Sequence, residues 1–472
     1  MFKKNNFIKN VIGFSIPTWI SFAISFISTP IITRLFQPSE IGKINLFSTF
    51  LNLFLLIVYF GLDQAYVRFY KELPGKYTKN ELFTFSLGFS LFIGIIISTI
   101  ILIFSKFFSI QISGTNNFII STCLSLSIIA NIVLKFLNVY SRVEQNIILY
   151  SIQAIAIALI SKVFYVIVAL WNPTHENAII ALTIGYIIIA ILFLSIKGDV
   201  ISIAGYFDKK SVVTLLKFGI PLIPVTILSW LNNSIPQFML KTFVDYSAIG
   251  IYTNAVAIAN TMNLIQTGFS LYWIPYVYAN YKTHQETIKK VHSYITFIMC
   301  ALGITLILIQ DVIYLLLGSN YRSSKNFFPF LIISPICFTI AETTGVGIGI
   351  SKKSYLNIIS FLSCTLTNLV VSFLLISSIG IEGAAISTSI SAVILLVVKT
   401  CLGEKYYKCA SNYFKTIFSL IIVFADAFIN YYYFDENSIK YPLIIISLIL
   451  LIIINKDILY ELNILFKERK SK

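Results

Sequence analysis

Charge is what this chain has least of. Only 12% of its 472 residues are Asp, Glu, Lys or Arg, while 57% are hydrophobic. A soluble domain needs about a quarter of its residues charged to cover its surface. No long hydrophilic block occurs anywhere in the sequence, so no sizeable soluble domain fits, and the composition is that of an integral membrane protein. Cysteine is scarce too. The six cysteines mostly sit in apolar runs and form no CxxC, which leaves neither a disulfide framework nor a metal site; they read as small packing residues. The three histidines (His175, His284, His292) lie in or beside predicted loops and read as solvated. There is no GxxxxGK[ST] for a nucleotide phosphate. Gly345-Val-Gly-Ile-Gly349 resembles a phosphate loop only in spelling. It ends an apolar span with no strand before it, and reads as small-xxx-small helix packing. No cofactor is expected.

What the chain has instead is apolar length. Windows long enough to cross a bilayer as helices fall near 11–33, 44–66, 82–104, 117–138, 147–170, 177–196, 212–239, 248–276, 291–317, 327–350, 355–378, 381–402, 413–433 and 441–460. That is fourteen. The first runs on past Pro30 without a cleavage site and reads as a retained span, not a signal peptide.

The formal charge of +15 could suggest nucleic acid, but its distribution says otherwise. With a cytoplasmic N-terminus, 26 of the 35 basic residues fall in inside loops. Lys3, Lys76, Lys209, Lys352, Lys399 and Lys467 are among them. Only Arg34, Lys43, Lys106, Lys241, Arg322, Lys325 and Lys440 fall outside. Such a split is a positive-inside signal. It places both termini in the cytoplasm and supports the span count, since one missed helix would invert every later loop.

The chain also repeats itself. Phe14-Ser-Ile-Pro17, Pro30, Arg34 and Ser39-Glu-Ile-Gly42 recur in order as Phe218-Gly-Ile-Pro221, Pro236, Lys241 and Ser247-Ala-Ile-Gly250. A weaker echo links Ser141-Arg142…Asn146 with Ser351-Lys352…Asn357. Six windows separate the two copies of the opening motif, an even number, so both copies cross the bilayer in the same direction. Their pseudo-twofold axis then lies along the membrane normal. The expected organisation is a six-helix lobe over 1–205, a second over 206–403, and an appended helix pair with a cytoplasmic tail over 404–472.

Charges within spans are costly, about 2.5–3.5 kcal/mol each on insertion scales, and usually face a cavity or a partner. Asp63, Lys135, Lys162, Glu342 and Asp426 are of this kind, with Arg34, Arg68 and Lys241 nearer span ends. Snorkelling to the interface accounts for the last three equally well. The repeat offset sets Lys135 close to the register of Glu342, a cation in one half where the other has an anion. Asp63 and Arg68, five apart, are poorly placed to pair on one helix. Arg68 would then be able to meet an anion, and a guanidinium fork suits phosphate oxygens.

These stretches together carry a resemblance. The opening span with FSIP and PSEIG, GLDQAYVRFYKE at 61–72, LLKFGIPLIP at 215–224 and IGIEGAAISTSIS at 379–391 resemble the Wzx-type polysaccharide flippases. Those belong to the multidrug/oligosaccharidyl-lipid/polysaccharide (MOP) exporter superfamily. The resemblance implies an all-α polytopic fold of about 14 transmembrane helices, with two MATE-like bundles around a central cavity. It implies alternating access, carrying an undecaprenyl-pyrophosphate-linked oligosaccharide across the cytoplasmic membrane for cell-surface polysaccharide. It also implies Arg34, Arg68, Lys135, Lys162 and Lys241 as substrate-binding cations, with Asp63 and Glu342 as ion-coupling carboxylates. The expected partners are that lipid-linked sugar, membrane lipids, and a polysaccharide polymerase with its chain-length regulator. The protein itself is expected to be a monomer that does not bind nucleic acid. A cation-coupled multidrug antiporter of the same fold is the nearest alternative, and would want more carboxylates than cations in its spans. A membrane glycosyltransferase or O-antigen polymerase is the alternative of another class, disfavoured by the shortness of every outside loop.

Overall fold

The structure is a computed structural model that describes residues 4–73, 78–201, 209–410, 412–458 and 460. Lys3, Lys76, Lys467, Arg469, Lys470 and Lys472, counted above as cytoplasmic charge, lie outside the described residues. Among the described residues there is no strand.

The chain separates into two compact units, Met1–Trp230 and Leu231–Lys472. The first contains α1 (Lys4–Leu35), α2 (Pro38–Tyr59), α3 (Leu62–Phe69), α4 (Lys79–Ile103), α5 (Ser105–Ser113), α6 (Phe118–Val143), α7 (Ile147–Leu159), α8 (Tyr165–Trp171), α9 (His175–Lys197) and α10 (Lys209–Gly219). The division falls inside α11 (Ile223–Phe243). The second unit continues with α12 (Tyr246–Ala259), α13 (Asn263–Asn280), α14 (Gln285–Leu308), α15 (Gln310–Leu316), α16 (Phe328–Thr344), α17 (Val346–Ile350), α18 (Tyr355–Ile379), α19 (Ile381–Glu404), α20 (Tyr413–Tyr432) and α21 (Asn437–Ile454).

Among the described residues, thirteen stretches are long and apolar enough to cross a membrane. They match thirteen of the fourteen windows. The remaining window, 248–276, is helical but broken: α12 ends at Ala259, a 3-10 turn covers Asn260–Met262, and α13 starts at Asn263. The fifth window is interrupted as well, by a π-helical turn over Ile160–Phe164 between α7 and α8.

Helix starts follow local sequence. Pro38 sits in the first turn of α2, where its missing N–H costs nothing. Thr78 and Glu81 form a reciprocal capping box on α4. Asn117, Asn146, Thr174, Asp245 and Asn412 each accept a backbone N–H at the start of the next helix. A cap of this kind is worth about 1 kcal/mol.

The outward faces of the spans are apolar, unlike those of a water-soluble helix. On α4 the buried residues include Ser86, Ser90, Gly94 and Ser98 beside Leu82, Phe83, Leu87 and Ile101, while Phe92, Ile95, Ile96, Ile100 and Ile103 face outward. α18 repeats the pattern, with Ser360, Cys364, Asn368 and Ser372 inside and Leu362, Leu366, Val370 and Phe373 outside. Small residues let helices approach closely, and lipid accepts the large apolar ones. The protein is a multi-pass membrane protein.

α20 and α21 pack against α14, and α20 also against α16. A polar group beside them holds the far end. Lys325 Nζ lies 2.5 Å from Asp311 Oδ1, Tyr441 donates to the same carboxylate, and the fully buried Lys440 donates to the Phe434 carbonyl at 3.1 Å.

Candidate functional site

In the first unit the turn between α2 and α3 decides where the charged residues go. Phe60 and Gly61 both adopt positive φ, 50° and 72°. The chain thereby turns into α3 with Asp63 buried in its first turn. A Cβ on Gly61 would stand 2.4 Å from the Gly219 carbonyl oxygen at the end of α10. Phe69 and Phe218 meet edge-to-face at 5.7 Å beside this contact. The stretches GLDQAYVRFYKE and LLKFGIP, far apart in sequence, therefore pack directly on one another.

Asp63 Oδ2 is 3.4 Å from Lys135 Nζ on α6 and accepts from Gln64 Nε2 at 2.9 Å. The Lys135 ammonium also lies 5.6 Å from the centre of the Tyr59 ring. Two candidates from separate helices thus form one ion pair, with Asp63 buried and Lys135 partly exposed. Arg68 is placed differently from the expectation of an unpaired guanidinium: it bonds Glu72 at 2.7 Å, one turn further on and in the open. The i,i+4 spacing within YVRFYKE accounts for this. Arg34 is exposed in the last turn of α1. Lys162 is half-buried on the π-helical turn, which packs so tightly that a Cβ on Gly185 would stand 2.2 Å from Ile160. Among the described residues Lys162 has no ion pair, and π-turns inside α-helices are frequent at functional sites.

In the second unit Lys241 lies near the end of α11, 6.0 Å from the centre of the Tyr246 ring. Glu342, on α16, accepts from Gln266 Nε2 at 2.7 Å and from the Ser270 hydroxyl, both on α13. Lys399 on α19 lies within electrostatic reach of that carboxylate. Its chain passes over Gly345, where a Cβ would stand 2.4 Å from Lys399 Cε. Lys399 was counted above with the cytoplasmic loops. The structure sets it inside a helix instead, because α19 continues to Glu404.

The glycine run at 345–349 packs helices as expected. A Cβ on Gly347 would meet the Gly403 carbonyl at 2.1 Å. The histidines are not all solvated. His292 is buried and bonds Thr343 and Thr416, and His175 bonds Glu40. Each sits at a helix contact that a loop reading could not foresee. Five of the cysteines are buried and Cys401 is exposed; all six are unpaired thiols. No group of metal-ligating side chains occurs among the described residues.

Proline makes a second polar centre. Pro236 has no N–H, so the carbonyl of Asn232, four residues earlier, loses its helical partner. Asn368 Nδ2, from α18, donates to that carbonyl at 2.6 Å and to Asn232 Oδ1 at 3.1 Å. Ser372 Oγ stands 2.9 Å from Asn368 Oδ1 and 2.8 Å from Ser387 Oγ on α19. Beside this network lies a cavity of about 400 Å³. Its lining includes Asn233 and Gln237 of α11, Asn260 and Asn263 at the broken helix, Gln266 and Thr388. Among the described residues no lining side chain is charged.

Residues 31–326, well over half the chain, match the polysaccharide biosynthesis protein family. The chain belongs to that family. A curated relative, the Lsg locus protein 1 of Haemophilus influenzae, is 22% identical over 323 residues, which cover 66% of this chain and 77% of the relative. Among solved structures, the fold is similar to the lipid II flippase MurJ in an inward closed conformation. That match has a TM-score of 0.71 at 18% identity, and covers 96% of this chain and all of the other. It is also similar to an inward-facing multidrug resistance MATE family transporter of the MOP superfamily, with a TM-score of 0.60, 15% identity, and 84% and 97% covered. Family and fold bear out the resemblance to Wzx-like MOP exporters and the all-α fold of about 14 spans. The polar residues that sequence reasoning missed here are Lys399, Asn368 and the amides of the broken helix. A legible signal existed for the last group, since Asn260, Asn263 and Gln266 recur every third residue inside an apolar window.

Proposed function

We propose that this protein is a flippase. It would move an undecaprenyl-pyrophosphate-linked oligosaccharide from the inner to the outer leaflet of the bacterial cytoplasmic membrane, for surface polysaccharide assembly. Its duplicated lobes (1–205 and 206–403) would alternate access, with both termini cytoplasmic, and a polymerase with its chain-length regulator would take up the product. The observation that carries this reading is the polysaccharide biosynthesis family match on a MATE-like fold. Ionisable residues within the spans support it, since a membrane helix keeps these only for a cavity or a partner.

The pyrophosphate would meet Arg34, Arg68, Lys135, Lys162 and Lys241. Of these, Lys162 has the most support, being half-buried on a π-helical turn. Lys135 would exchange Asp63, and Arg68 would exchange Glu72, for the lipid phosphates. An inside-negative potential of 100 mV favours moving negative charge outward by about 2.3 kcal/mol per charge. Asp63 and Glu342 are the proposed coupling carboxylates.

The test is flux of a fluorescent undecaprenyl-pyrophosphate oligosaccharide in proteoliposomes. Wild type should clear the lipid from the loaded leaflet, and Lys162→Glu should slow it at least tenfold with the protein still folded. Unchanged flux in Lys162→Glu would remove that residue from the site. Absence of flux by the wild type would remove the function. Flux that ignores both proton and sodium gradients would end the coupling role of the two carboxylates.

A further inference from the structure

The cavity in the second unit is uncharged where a phosphate site needs cations. Asn260 is exposed although it belongs to an apolar span. An exposed amide at that depth is stable only against water or a polar ligand. The break at Asn260–Met262 puts three amides along one wall. Asn263 Nδ2 donates to Asn260 Oδ1 at 3.1 Å, which leaves the Asn260 N–H groups as donors and the Asn263 carbonyl as acceptor. Glu342 holds Gln266 Nε2, so the Gln266 carbonyl remains as a second acceptor. Their spacing of three residues keeps all three on one side. Thr388 and Ser334 add hydroxyls, and Tyr252 and Phe338 add ring surface.

We infer that this cavity binds an uncharged sugar ring of the lipid-linked substrate. This deepens the proposed flippase reading and rests on it. A sugar hydroxyl both donates and accepts, and an amide offers both in one plane. Burying hydroxyls unmatched would be costly, and the asparagine wall matches them. A pyrophosphate would find no charge-assisted partner there. The volume of about 400 Å³ falls within the range of small-molecule sites, about 300–1,000 Å³. Glu342 acts here as a positioning residue, through Gln266.

The experiment compares two probes on the purified full chain. They are undecaprenyl pyrophosphate bearing one N-acetylglucosamine, and bare undecaprenyl pyrophosphate. Asn260→Leu/Asn263→Leu should weaken the glycosylated lipid about tenfold, the effect of losing one or two hydrogen bonds to a ligand, and leave the bare lipid within twofold of wild type. Equal loss for both probes would overturn the sugar assignment, as would no loss for either. If wild type binds neither probe, the flippase reading itself falls, and this inference with it. Should the double variant fail to fold, Asn260→Ala alone, at an exposed position, carries the same expectation with a smaller shift.

Discussion

At the scale of single residues, the sharpest physical statement concerns one carbonyl. Pro236 deprives the Asn232 oxygen of its helical partner, and Asn368 supplies another from a neighbouring helix. Asn368→Leu should therefore destabilise the protein by about 1–3 kcal/mol, the cost of orphaning a buried acceptor. Pro236→Ala restores an N–H in the right place. The pair should couple: in the Asn368→Leu background, Pro236→Ala should recover part of the loss, by more than about 0.5 kcal/mol. Thermal unfolding of the four proteins in one detergent measures this, and strict additivity would refute the account. Proline, asparagine and spacing were all visible in the sequence. That they answer one another was not, because residues 232 and 368 are separated by six intervening helices.

Elements show the same division. Helix starts at Thr78, Asn117, Thr174 and Asp245 are local events and can be read from a few residues. Breaks are different. The windows at 147–170 and 248–276 look continuous by hydropathy, yet one contains a π-turn and the other a 3-10 turn. Apolar content is blind to the direction of a helix axis. The α2–α3 turn offers a test at this scale. Gly61→Ala would force a Cβ into the Gly219 carbonyl at positive φ. Overpacking costs about 1–3 kcal/mol, and the left-handed conformation about 1–2 more. Gly88, inside α4, has open space around it. Gly88→Ala should be neutral or raise stability by about 0.5–1 kcal/mol. The melting midpoint should fall for Gly61→Ala and hold or rise for Gly88→Ala, and equal losses would mean that packing at Gly61 is not special.

For the whole molecule, charge distribution makes the prediction. The positive-inside count puts Lys353 on the cytoplasmic side and Thr115 on the outer side. In a background with the exposed Cys401 replaced by serine, Thr115→Cys should react with an impermeant thiol reagent on intact cells. Lys353→Cys should react only after permeabilisation. The reverse pattern would invert the topology and with it the direction of transport.

The sequence by itself determined the solvent, the approximate number of hydrophobic stretches and the kinship, because each of these is a sum or a pattern along one dimension. Tertiary structure alone decided which charges are already matched. Lys135 with Asp63 and Lys399 near Glu342 depend on which helix lies beside which. Ion pairs and hydrogen bonds act over a few ångströms, and in a bundle of helices those few ångströms join residues tens to hundreds of positions apart.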